Sequence, residues 1–300
     1  MNKVVIITDS TVDLSKDLVE KLDIKVMPLY IIFDNETFQD GVNIDNPKLF
    51  AKVEEYKKLP KTSGAAPGDF VKFFTPYINE GYDIFYMGIG SELSCTYRSA
   101  MIAADEFPKG RVVVCDSMNL SGGIGLLIIK AAKYRDMGLS ALEIKEKIDQ
   151  ITPHVKCQFV VESLDYLYKG GRCSGVAKFF GTMLRLKPLI VVRNGKLSVG
   201  KKIIGSVKKA LNVMIELFMS DLKNVDPDCI LVTGVCATEN EDHIRHSIDN
   251  DEVHKYVKNI YYTEAGSVIA SHCGKGTIGI LYIVNNHFDE TDNEILSKEE

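Results

Sequence analysis

No stretch of this 300-residue chain approaches the ~18 consecutive apolar residues that argue for a membrane span. Its longest aliphatic patch is LLIIK, at 126–130, with its neighbours. A secretory leader is not expected, because a strand-like VVII opens at position 4, where a charged and then apolar signal would stand. Cysteine is scattered: seven residues, an odd number, without a Cys-x-x-Cys pair. That pattern argues against a disulfide frame or a zinc site and points to reduced thiols in a cytoplasm. Positive charge is not in excess either. A formal net charge of −5, and no concentrated basic stretch interleaved with aromatics, make nucleic acid an unexpected partner. Long Pro/Ser-rich linkers and internal repeats are missing, and low-complexity sequence is confined to the acidic SKEE at 297–300.

A phosphate-binding loop is missing too, although GSVIASHCGKGTIG at 266–279 resembles one. Such a loop needs a glycine five residues before its Gly-Lys pair and a Ser or Thr directly after it; here Ile269 and Gly276 hold those places. The glycines around His272 are expected instead to let the backbone turn tightly or pass close to another group.

What is present suits a globular protein of one large or two ordinary domains, with 45% apolar residues to build a core. The first half alternates β-branched runs with helical periods: KVVIITD, then LSKDLVEKL with Leu14, Leu18 and Leu22 on one face, then IKVMPLYIIF. YDIFYMGIG leads into a segment where Tyr97, Met101 and Ala104 share a helical face. RVVVCDS leads into another helix, and Ser140 with Glu143 makes a capping box. This alternation predicts a parallel-sheet, three-layer α/β domain over 1–150. The second half brings FVVESLDYLYKGGR, LKPLIVVRNGKLSVG and CILVTGV. The middle run is split by Asn194-Gly195, a hairpin signal. Val207, Ala210, Leu211, Met214, Leu217 and Phe218 form one helical stripe, read as core. A two-layer, mixed-sheet α/β domain over 151–290 is expected, and propensity is blind to any exchange of chain between the two domains.

In an open α/β sheet ligands bind beyond the carboxyl ends of the strands. The segments there read DSTVD, GSELSCTYRSA and DSMNLSGG, and a further hydroxyl pair, Thr62-Ser63, stands in a Gly/Pro-bearing loop. Taken singly, each reads as helix capping or turn chemistry. Taken in order, ITDSTVDL (7–14), Thr62-Ser63, SELSCTYRSA (91–100), CDSMNLSGG (115–123), LDYLYKGGRCS (164–174) and GSVIASHCGKG (266–276) resemble the motifs of the DegV family across nearly the whole chain.

That resemblance implies a two-domain protein that binds a long-chain fatty acid with its tail buried. It would serve as the non-catalytic subunit of a bacterial fatty acid kinase, presenting the carboxylate to a separate ATP-binding subunit that makes the acyl phosphate. Neither cofactor nor metal is implied, and transient contact with a membrane surface belongs to the picture. Carried over by motif, Thr62 or Ser63, Ser94 and His272 contact the carboxylate, with Arg172 close by. The glycines near His272 would then bring the backbone close to that carboxylate. Four positions depart from the family pattern: Cys95 replaces a glycine, Lys275 a proline, and Gly64-Ala65 a Gln-Pro pair.

The chemistry agrees. A fatty carboxylate is ionised near neutral pH, so it needs positioning and charge neutralisation rather than a strong base. Ser94 at a helix start adds backbone N–H groups, His272 a hydrogen bond and Arg172 a permanent charge. Burying ten methylenes contributes on the order of 8 kcal/mol before ordering costs. Two alternatives remain open on residues alone. Ser94, His272 and Asp9 form a possible acyl-hydrolase triad, although no G-x-S-x-G elbow occurs. His243 and His246, with Asp242 or Asp249, have metal-ligand spacing within what otherwise reads as an exposed polar helix.

Overall fold

The VVII segment does begin a strand, β1 (Val4–Asp9), and it lies inside a four-stranded parallel sheet. The structure, a computed structural model, describes residues 2–173 and 186–285. Ser174 of the LDYLYKGGRCS segment and the SKEE tail lie outside the described residues. Contacts divide the chain into two units: one runs to Pro153 and takes in Glu264–Ser271, and the other holds His154–Thr263 and the chain from His272.

In the first unit, β1 is followed by α1 (Lys16–Lys21), β2 (Ile24–Met27), β3 (Tyr30–Phe33), β4 (Glu36–Gln39), α2 (Asn46–Tyr56), β5 (Lys61–Ser63) and α3 (Pro67–Asn79). Then come β6 (Asp83–Tyr86), α4 (Thr96–Ala104), β7 (Val112–Val114), α5 (Gly122–Asp136) and α6 (Ala141–Ile151). The parallel sheet has the order β2-β1-β6-β7, with Ile6 opposite Ile24 on one side and opposite Phe85 on the other. Helices α3 and α4 pack on each other and on β6 and β7, while α5 and α6 form a second pair against β1, β6 and β7. LLIIK lies within α5, whose Leu126, Leu127 and Ile128 are buried. The capping box forms: Ser140 Oγ accepts from Glu143 N, and Glu143 accepts from Ser140 N at 2.8 Å.

Two local expectations fail here. IKVMPLYIIF is not one strand, because it breaks at Pro28-Leu29. Pro28 has no N–H to give a ladder, and β3 pairs antiparallel with β4 and β5 in a separate three-stranded sheet. Helix α4 does not bury Tyr97, Met101 and Ala104 together; its buried residues are Thr96, Ala100 and Ala103, and Met101 is 41% exposed. Small side chains let α4 lie close to its neighbours, and apolarity alone picked the wrong face.

The second unit contains β8 (Val155–Val160), α7 (Asp165–Gly170), β9 (Leu186–Arg193), β10 (Lys196–Ile204), α8 (Val207–Asp221) and β11 (Ile230–Gly234). After these come α9 (Thr238–Ile248), α10 (Asp251–His254), β12 (Ile260–Glu264), α11 (Ser267–Cys273), which begins in the first unit, and β13 (Ile278–Ile283). The six-stranded sheet has the order β10-β9-β8-β13-β11-β12. Its first four neighbour pairs are antiparallel. Strand β12 returns to β11 through two helices, with Ile230 N donating to Asn259 O and Thr233 Oγ1 bonded to Thr263 Oγ1 at 2.8 Å. Both strand starts and both strand ends therefore coincide, which makes this pair parallel and the sheet mixed. Asn194 and Gly195 turn β9 into β10 with φ of 48° and 77°, the left-handed pair that a two-residue hairpin needs. Among the described residues the sheet ends at β10, whose register shifts between Val199 and Lys201. Helix α8 buries Ala210, Leu211, Met214 and Phe218 against Val160, Ile203, Ile280 and Tyr282, with Val207 and Leu217 partly buried beside them. Among the described residues no helix is long and apolar enough to cross a membrane.

Candidate functional site

In the first unit, β1 and β6 are neighbours whose connections leave the sheet in opposite directions, which makes their carboxyl ends the switch point at which open α/β sheets bind ligands. Asp9, at the end of β1, ties the loops there together. Its carboxylate accepts from Thr11 N at 3.0 Å, Thr11 Oγ1, Tyr86 OH at 3.2 Å and Ile89 N at 3.0 Å. A Cβ on Gly88 would overlap Asp9 Oδ2, which is why glycine stands there. Burial lifts the Asp9 carboxyl above the usual carboxylate range in spite of these donors. The loop after β7 joins in: Ser117 Oγ donates to Gly88 O at 2.7 Å, and Gly90 N donates to Asn119 O at 2.8 Å.

This framework carries Ser94, which lies just before α4. Its Oγ accepts from Thr96 N at 3.2 Å and bonds to Thr96 Oγ1 at 2.8 Å, so the hydroxyls stand side by side where the helix N–H groups open. The Thr62-Ser63 segment arrives at the same place. It is no loop but edge strand β5, with Thr62 opposite the buried Ile31 and Ser63 opposite Tyr30. A Cβ on Gly64 would overlap Thr96 Oγ1, so only glycine lets β5 run up against the start of α4. Strand alternation sends Thr62 and Ser63 to opposite faces. Ser63 is exposed and donates to Gly64 O at 3.0 Å, whereas Thr62 is half-buried on the side of Ile31.

In the second unit the structure brings His272 and Arg172 together around Gly170. Arg172 Nη1 donates to Gly170 O at 2.8 Å, and a Cβ on Gly170 would stand 2.6 Å from His272 Nδ1. Burial, with the positive Arg172 as the second cause, pushes the His272 pKa down to about 4. At neutral pH the ring is therefore uncharged, a donor at one nitrogen and an acceptor at the other.

Gly274 and Gly276, with φ of 80° and 81°, make close approaches, but to the protein's own groups. A Cβ on Gly274 would lie 2.7 Å from the Tyr166 ring, and one on Gly276 would overlap Glu162 Oε2. Lys275 between them is exposed. Cys95 and Gly64 each have a local reason. Cys95 has φ −72° and ψ −5°, which any L-residue adopts, so its backbone does not need glycine. Gly64 fits because a side chain is excluded by Thr96.

Neither alternative gains support. Both Asp9 oxygens are engaged by loop donors of their own unit, away from the role of orienting a histidine. His243 Nε2 is bonded to Asn212 Oδ1 at 2.7 Å and His246 Nδ1 to Asp242 O at 2.6 Å. Among the described residues no group of three or more His, Cys, Asp or Glu is arranged to hold a metal. Residue reasoning missed Thr96, although its spacing two residues after Ser94 is a turn signal. It also missed Gly170, whose role shows only once α7 meets His272.

Comparison with known proteins decides the family. The model of the DegV family, described as uncharacterised proteins, matches residues 3–285. The chain belongs to the DegV family. A DegV domain-containing protein of Clostridium perfringens is 36% identical over 286 residues, 94% of this chain and 99% of that relative. A DegV family protein from Thermus thermophilus, solved in a study of its fatty acid binding, superposes with a TM-score of 0.87 at 28% identity, covering 95% of this chain and 100% of its own. DegV of Bacillus subtilis, a fatty acid binding protein, gives 0.82 at 26% identity, with coverage of 95% and 100%.

Proposed function

We propose that this DegV protein binds a long-chain fatty acid with its tail buried and presents the carboxylate to a separate ATP-dependent kinase subunit. The observation that carries the reading is its likeness, over nearly the whole chain, to DegV proteins that bind fatty acids. The residue chemistry supports it. Ser94 and Thr62 offer hydroxyl donors at the open end of the sheet, and Thr62 is favoured over Ser63 because Thr62 is half-buried and Ser63 is exposed. His272, neutral, donates one hydrogen bond, and Arg172 supplies the charge that balances the carboxylate. In the reaction a carboxylate oxygen attacks the γ-phosphorus of ATP, the new O–P bond forms, and ADP leaves. This chain's part is to hold and orient the nucleophile. Among the described residues no disulfide joins its cysteines, which suits the cytoplasm, and transient contact with a membrane surface completes the proposal.

Native mass spectrometry of the protein purified from bacteria tests this. A stoichiometric fatty acid is expected, together with acyl phosphate formation from ATP only when a kinase subunit is added. Finding no bound lipid and no binding of added palmitate or oleate overturns the reading. Acyl phosphate made by the isolated chain overturns the division of labour.

A further inference from the structure

Helix α11, whose last turn carries His272, begins against two buried carboxylates that have no part in the function proposed above. Asp40 Oδ1 accepts from Ser267 N at 2.7 Å, and its Oδ2 accepts from Val268 N at 3.3 Å. Asp13 Oδ1 accepts from Gly266 N at 2.8 Å. Three consecutive N–H groups at the head of the helix, the kind a helix leaves without an internal partner, are thus satisfied by acids from far away in the chain. Asn46 secures the approach, donating to Ala265 O at 2.8 Å and to Glu264 Oε1 at 2.7 Å. Gly266 fits only as glycine, since a Cβ would stand 2.9 Å from Asp40 Oδ2 and 3.2 Å from Ser10 O.

An ordinary cap comes from the residue just before the helix, and a serine or asparagine there does the work without burying a charge. Here Asp13 and Asp40 are only 4% and 3% exposed. Burial raises both carboxyls, and repulsion from Asp9 and, for Asp13, from Asp40 adds to the rise. Such an arrangement costs stability, and what it achieves is placement: the first turn of α11 is pinned to the loops after β1 and β4. A helix this short moves as one rod, so a slip at Ser267 reappears at His272.

We propose that Asp40, assisted by Asp13, is a positioning residue for His272, fixing the head of the helix whose last turn offers the imidazole to a fatty carboxylate. This rests on the fatty-acid reading. Asp40→Asn keeps the shape but replaces one acceptor by an N–H₂ group facing a backbone N–H. Three measurements on lipid-free protein test it: palmitate affinity, the His272 titration midpoint by NMR, and the double variant D40N/H272A. Asp40→Asn is expected to weaken palmitate binding about tenfold and to move the His272 midpoint from about 4 towards 6.5. The double variant is expected to bind no more weakly than H272A alone, since Asp40 acts through His272. Wild-type affinity in D40N, or losses that multiply in the double variant, overturns the proposal. If H272A itself binds palmitate like the wild type, the carboxylate role of His272 fails. The positioning claim is then judged by the titration midpoint, and an unchanged midpoint in D40N overturns it. If D40N does not fold, Asp13→Asn, which touches a single backbone N–H, carries the same comparisons.

Discussion

Replacing Gly170 by alanine adds one methyl group against His272 and little else. The new Cβ would stand 2.6 Å from Nδ1, 3.5 Å from Cγ and 3.6 Å from Cε1, so the Nδ1 contact falls about 0.8 Å short of ordinary van der Waals distance. Gly170 closes α7 without a positive φ, so alanine meets no backbone strain and gains up to about 1 kcal/mol of helix propensity. The bond from the Arg172 guanidinium to the Gly170 carbonyl is untouched, because Gly170 contributes only its backbone oxygen to it. The ring must therefore move while the fold stays. A hydrogen bond of ordinary length stretched by about 0.8 Å is no longer one. Losing a bond to a charged acceptor costs roughly 1.5–3 kcal/mol, about a ten- to hundredfold loss in palmitate affinity. Calorimetry on lipid-free protein, beside a thermal melt, reads both quantities. Full affinity in Gly170→Ala refutes the reasoning, and so does a loss of affinity that merely follows a fall in melting temperature.

His272 also fixes a pH dependence. Its folded pKa of about 4 lies below the ordinary 6.5, so between those values the unfolded chain holds the extra proton and stability falls as the pH drops. The loss amounts to at most about 3 kcal/mol, less what solvent screening removes at this partly exposed ring. Denaturant unfolding of the lipid-free wild type against His272→Gln isolates the effect, because the raised carboxyls of Asp9, Asp13 and Asp40 act in the opposite sense in both proteins; parallel curves would refute it. Cys95→Gly, which restores the family residue, is expected to leave palmitate affinity unchanged and to lower stability by no more than about 1 kcal/mol. A clear stabilisation by denaturant unfolding would contradict the αR backbone assigned to Cys95.

Signals that act within a few residues were legible in the sequence. The Ser140–Glu143 capping box, the Asn194-Gly195 turn and the α8 stripe all describe short-range geometry, and all are present. What failed was long-range. Pro28 hints at a break in IKVMPLYIIF, but nothing local says that β3 leaves for a second sheet with β5, so Thr62 was read as a loop residue. The face of α4 was misjudged because close packing selected its small residues over Met101. In the candidate site, ordered motifs pointed to Ser94, Thr62 and His272, yet Asp40 left no trace. The helix N–H groups it holds lie 227 and 228 residues away, and a backbone N–H is the same at every non-proline position.

The last strand of the mixed sheet has a consequence for solubility. A strand with a neighbour on one side only offers its other row of N–H and C=O groups to any extended chain, including the same strand of another copy. In β10 that invitation is withdrawn twice. The register shift between Val199 and Lys201 breaks the straight line a second strand would follow, and Lys196, Lys201 and Lys202 place three like charges along it. Two such edges meeting would set lysine against lysine, which works against pairing of the strand with its own copy even though the chain as a whole is acidic.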